Sequence, residues 1–182
     1  MAVIRIQRIF RKDRCKIEKY ILKTLKDLRI NKNIKRLDVL LDKKLKDDVQ
    51  IDFKQIKKGY VKLKVGKNKI DKKIIYHEFG HVYDAIYNNI SFYNYKISPK
   101  KDLLCGLILN ISLDGRLEKL GFPHISKKER LSHLRIFMRL WNNKYKEKFT
   151  KKELIALFEK YWGREFHSSK EILDIYEKIR KG

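Results

Sequence analysis

The stretch Asp71-Lys-Lys-Ile-Ile-Tyr-His-Glu-Phe-Gly-His-Val-Tyr-Asp-Ala-Ile-Tyr87 decides how the rest of the chain is read. Its apolar residues recur at helical intervals through Ile74, Ile75 and Val82. The pattern predicts a helix from near Asp71 to about Tyr87, with Asn88-Asn89 as its stop. On a helix, residues four apart project from one face, about a turn from each other. His77 and His81 therefore aim two imidazoles at one point, a clamp suited to Zn²⁺. Glu78 falls beside that point without being needed as a ligand, where it can accept a proton from a metal-held water. Gly80, inside the helix, costs about 1 kcal/mol relative to Ala, which makes sense where another backbone or a substrate approaches closely. Asp84, seven residues after His77, shares its face; it is a further candidate ligand, read chiefly as orienting a histidine or capping contacts from the later helices.

On the amino-terminal side, Val3, Ile4, Ile6, Ile9 and Phe10 predict a first strand. Ile17, Tyr20, Ile21, Thr24, Leu25 and Leu28 then repeat at three and four, as in an amphipathic helix, with Asp13 as its cap and Asn31-Lys-Asn33 as its break. Arg36 to Asp42 reads as a buried strand, and Val49 to Phe53 alternates apolar with polar. Gly59 to Val65 alternates too. Lys62 and Lys64 on its polar side give it the character of a protected edge strand, along which an extended peptide would lie antiparallel. Gly66 to Lys69 reads as a turn.

On the carboxy-terminal side, Ser91 to Pro99 is a loop, and helices are expected at about 100–120, 126–144, 150–161 and 168–180. Ser126-Lys-Lys-Glu129 and Thr150-Lys-Lys-Glu153 each fit a capping box, and Gly121-Phe-Pro123 ends the helix before them. The expected fold is α+β, as one domain over residues 1–182. An α/β part, 1–90, holds a mixed sheet, one helix and the histidine-bearing helix; a helical part follows over 91–182.

Composition sets bounds on function. With 43% hydrophobic residues and 12% aromatic, 182 residues can bury one core. The charge is extreme, 46 Lys plus Arg against 22 Asp plus Glu for a formal +24, which attracts nucleic acid and other polyanions. Lysine and isoleucine enrichment is also a habit of hyperthermophile proteins. Arg5 and Arg8 stand where a signal peptide needs an apolar run, and no stretch approaches the roughly 18 apolar residues of a membrane helix, so a soluble cytoplasmic protein is expected. Cys15 and Cys105 have no partner at metal or redox spacing and read as buried free thiols.

A catalytic zinc usually takes three protein ligands and keeps a position for water. Candidates for the third lie in Asn110-Ile-Ser-Leu-Asp-Gly-Arg-Leu-Glu118, where Asp114 and Glu118 are four apart and share a helical face with Asn110. One acid can bind metal while the other accepts the N–H of a ligand histidine. The plainer reading makes them surface acids with Arg116 and Lys119 as partners.

Together these residues resemble the zincin metallopeptidases, on the gluzincin side of that clan. His77-Glu78-Phe79-Gly80-His81-Val82-Tyr83-Asp84 is similar to the active-site helix of the anthrax lethal factor family, which also ends in an aspartate, and the size is comparable to the minigluzincin type. The resemblance covers roughly Gly59 to Leu120. It implies zinc held by His77, His81 and an acid on the following helix, Glu78 as general base, and a peptide or protein substrate. The family expects a glutamate where Asp114 stands, so Asp114 or Glu118 is the third ligand and the other, with Asp84, supports it. No third histidine occupies metzincin spacing, since Asn88 and Ile90 lie in that region.

Tyr76, Tyr83, Tyr87, Tyr93 and Tyr95 cluster around the motif and read chiefly as packing, though a tyrosine or His124 can serve a zincin as oxyanion donor. His133 and His167 have no partner at ligand spacing, and Trp141 and Trp162 are expected to anchor the helical part. Two alternatives stand beside a plain peptidase. One is a basic zinc protease brought to nucleic acid by its charge; the other is a non-catalytic zincin scaffold with a structural metal site.

Overall fold

The computed structural model describes residues 3–7, 11–45, 49–66, 71–91, 95–146 and 148–181, so the expected turn at Gly66 to Lys69, together with Ile9, Phe10 and Tyr93, lies wholly or largely outside them. The fold is α+β, and the chain divides into two compact units, Met1–Tyr93 and Asn94–Gly182.

The first unit runs β1 (Val3–Gln7), α1 (Arg11–Asp27), β2 (Arg36–Leu41), β3 (Val49–Asp52), β4 (Tyr60–Val65) and α2 (Lys72–Tyr87), with 3₁₀ turns at Lys43–Leu45 and Phe53–Lys58 on either side of β3. The strands form one mixed sheet in the order β1-β2-β4-β3. β1, β2 and β4 are parallel, and β3 pairs antiparallel with β4. One sheet face buries Ile6, Leu37, Val39, Val61, Leu63 and Val65. At about 25 cal/mol per Å² of apolar surface removed from water, such residues hold a unit of this size together. α1 packs on β1 and on α2, and α2 packs on β3.

The edge-strand expectation for β4 is overturned, because β4 lies between β2 and β3 and the edge beside α2 is β3. The lysines have a different cause. In register, Arg5 faces Asp38, Asp38 faces Lys62, and Lys62 faces Asp52, so the polar sheet face carries a cross-strand row of alternating charge. Lys64 reaches Asp42 at 3.8 Å. Alternation shows that one face is polar; it carries no information on whether a strand is central.

α1 begins at Arg11, ahead of the expected cap Asp13, and ends before the expected break at Asn31. Arg29 adopts the left-handed region (φ 55°), and Arg29 N–H donates to Lys26 O while Ile30 N–H donates to Leu25 O, each at 3.0 Å. This double closure is usually built on glycine, so an arginine there gives no sequence signal. Cys15 is exposed on α1, against the expectation of burial, while Cys105 is buried and its thiol is pushed up to about 12 by that burial.

The second unit is helical: α3 (Pro99–Lys119), α4 (Lys127–Lys144), α5 (Lys151–Tyr161) and α6 (Ser169–Lys181). α3 is buried on nearly every side between Leu104 and Leu117, and α5 and α6 pack on it. Both capping boxes form as the sequence indicates, Ser126 with Glu129 and Thr150 with Glu153. α3 closes where Gly121 takes φ 69°, with Phe122 N–H donating to Leu117 O and Gly121 N–H to Glu118 O. Trp141 is buried. Among the described residues no helix is long and apolar enough to cross a membrane.

Candidate metal centre

α2 starts where Asp71 accepts a hydrogen bond from Lys73 N–H at 3.0 Å. Ile75, Phe79 and Val82, at helical spacing, form its buried stripe, and His77, His81 and Asp84 form the stripe beside it. The core residues thus fix the rotation of the helix, and that rotation aims the histidines.

The two imidazoles converge. Nε2 of His77 and Nε2 of His81 are 3.2 Å apart, and the rings meet edge-on at 90° with centroids 4.8 Å apart. A tetrahedral ion about 2.0–2.1 Å from each of two nitrogens needs those nitrogens about 3.3–3.4 Å apart. The observed spacing therefore fits zinc with little adjustment. The two nitrogens are also within hydrogen-bonding reach of each other, with donor and acceptor set by the ring tautomers. His77 is 5% exposed, which shields such a contact from water, while His81 and Glu78 are half-buried. Glu78 leaves the helix about 100° around from His77, beside the clamp.

Two groups brace α2. Tyr76, buried and next to His77 in sequence, donates its hydroxyl hydrogen to Asp27 at the end of α1. That hydrogen bond holds the Asp27 carboxyl below its usual range, while burial and the same bond push the Tyr76 hydroxyl up, so it stays protonated as a donor. Tyr76 is thus a tether between helices, which places it on the packing side of its sequence reading. At the other end, buried Asp84 accepts from Asn88 Nδ2 at 3.0 Å, and its carbonyl takes the N–H groups of Asn88 and Ile90.

The acids of the second unit are engaged within that unit. Asp114 is fully buried, and Arg130 reaches its Oδ2 through Nε at 2.6 Å and through Nη2 at 2.5 Å, the latter close enough for an ion pair but out of line for a hydrogen bond. Ile125 N–H donates to Oδ1 at 3.4 Å. Glu118 is exposed; it accepts from Trp162 Nε1 at 2.8 Å, and His124 Nε2 lies 3.8 Å from its other oxygen. Arg130, Trp162 and His124 are thus among the partners of the two acids. The adjoining face of α3, with Ser112, Gly115 and Lys119, meets the turn after α5. Ser112 donates to Arg164 O at 2.5 Å, and Lys119 to Gly163 O at 2.9 Å. A Cβ on Gly115 would stand 2.2 Å from Gly163 N, so only glycine fits there.

Arg130, Trp162 and Gly163 were not foreseen as partners of α3, and the spacing along α3 held no signal for them because they lie on other segments of the chain. Among the described residues no group of three or more His, Cys, Asp or Glu side chains is placed to hold a metal ion, and the two histidines of α2 bring their Nε2 atoms within 3.2 Å of each other. No family model matches the chain, and no curated protein and no solved structure matches it either.

Proposed function

We propose that the chain is a zinc-dependent metallopeptidase of the zincin type, with His77 and His81 as metal donors and Glu78 as general base. The observation that carries this reading is the 3.2 Å Nε2–Nε2 spacing on a helix that also bears Glu78. Zinc, when held there, lowers the pKa of water towards neutrality and polarises a carbonyl. Glu78 takes a proton from the attacking water onto its carboxylate and returns it to the departing amine nitrogen. The Tyr76–Asp27 bond and the buried stripe of α2 keep the histidines in one geometry, which lowers the ordering cost of binding a metal.

An extended substrate would add to β3, the edge strand of the sheet beside α2. This role passes to β3 from β4, the strand that the sequence pattern singled out. The third protein donor is assigned, on the sequence resemblance, to Asp114 or Glu118.

The test is hydrolysis of a mixed fluorogenic peptide library by zinc-loaded wild type and by Glu78→Gln. The expected result is cleavage by wild type and a loss of about 10²–10⁴-fold in the variant at equal zinc content. If both are equally inert while zinc stays bound, the reading fails in favour of a structural metal site.

A further inference from the structure

The second unit contains a cleft of about 380 Å³, at the small end of the range typical of ligand pockets. Its walls are apolar: Leu104 from α3, Trp141 from α4, Leu157 and Tyr161 from α5, and Phe149 from the connection between α4 and α5. Three lysines also line it. Lys100 Nζ lies 5.6 Å over the Trp141 ring, Lys160 Nζ lies 5.6 Å over the Tyr161 ring, and Lys148 donates to the Asn142 and Tyr145 carbonyls. The lining carboxylate, Glu153, is occupied in capping α5. It accepts from Thr150 N–H and from the Thr150 hydroxyl, each at 2.7 Å.

This lining selects a ligand by exclusion. Its cationic groups call for an anion. Its walls offer a hydrocarbon surface and few hydrogen-bonding groups, so a nucleoside would leave ribose hydroxyls and base edges unpaired at a cost of some kcal/mol each. An acyl chain has no such groups. We propose that the cleft binds a medium-chain acyl carboxylate, with the chain against Leu104, Trp141 and Leu157 and the carboxylate at Lys100 and Lys160. Electrostatic attraction from a chain of formal charge +24 favours the same sign of ligand.

Calorimetric titration with decanoate, below its micelle-forming concentration, tests this on the full chain. Decanoate should bind one saturable site with Kd on the order of tens of micromolar, while decyltrimethylammonium, with the same chain and opposite charge, should not. The double variant Lys100→Ala/Lys160→Ala should weaken decanoate binding about tenfold. Ala156→Phe, at an exposed position of α5 that lines the cleft, should remove binding with the circular dichroism spectrum unchanged. Absence of saturable decanoate binding overturns the proposal. So does equal binding of the cationic amphiphile, or wild-type affinity in a folded Ala156→Phe. Tighter binding of AMP, or of phosphatidylglycerol vesicles, than of decanoate also overturns it and identifies the cleft as a nucleotide or membrane site.

Discussion

Two helices in this protein carry a pair of chemically active side chains four residues apart, and the pairs have different environments. On α2, His77 and His81 turn their ring nitrogens on each other at 3.2 Å. On α3, Asp114 and Glu118 engage other side chains of their own unit. Asp114 meets Arg130 in the interior, and Glu118 meets Trp162 and His124 at the surface. Spacing places both pairs on a helical face with equal certainty. What the pair then does depends on what stands opposite, and a one-dimensional pattern does not contain that. A convergent pair of like donors has a use for a cation; a pair divided between separate partners also serves to hold helices in place.

The difference can be broken from the α3 side. Replacing Asp114 by Ala leaves the Arg130 charge buried and uncompensated, and should destabilise the second unit by about 3–5 kcal/mol. Both tryptophans, Trp141 and Trp162, lie in that unit, so the denaturant dependence of tryptophan fluorescence reports on it. Zinc titration of Asp114→Asn and Glu118→Gln sharpens the comparison. Loss of zinc affinity in one of them assigns that acid to the metal, and retention in both confines the pair to structural work.

A smaller effect is expected at Gly115. Even one methyl group collides with the Gly163 backbone there, so Gly115→Ala should cost about 2–3 kcal/mol by the same fluorescence measurement.

The smallest effect tests the brace on the α2 side. Tyr76→Phe removes the hydrogen bond to Asp27 and should cost about 1 kcal/mol at neutral pH. Its pH dependence has a definite sign. The folded Asp27 carboxyl is held below its ordinary value, so its stabilising contribution is complete above the unfolded pKa and is lost as pH falls through the folded one. The gap between wild type and Tyr76→Phe should therefore persist from neutral to mildly acidic pH and shrink below the ordinary carboxylate range. Thermal melts followed by circular dichroism over that range check it.

These contrasts also mark what could be read from the sequence. Local chemistry was legible: α2 begins beside Asp71 as its pattern indicates, and the capping boxes at Ser126 and Thr150 form as their spacing indicates, because a cap involves residues within one turn. The histidine pair belongs to the same class, since both members ride on one helix. Long-range choices were hidden. β4 took the centre of the sheet despite its lysines, because Lys62 answers acids on both neighbouring strands that only the register brings together. Arg130 reaches Asp114 from another helix, sixteen residues on. The end of α1 rests on an arginine in a conformation that usually signals glycine.

The central claim, that the α2 pair is a metal clamp, is most directly tested by native mass spectrometry of wild type and of His77→Ala/His81→Ala after incubation with zinc and removal of the excess. The account predicts one zinc ion on the wild type and none on the double variant, with both chains folded. A wild type that retains no zinc, or a double variant that retains as much, would contradict it.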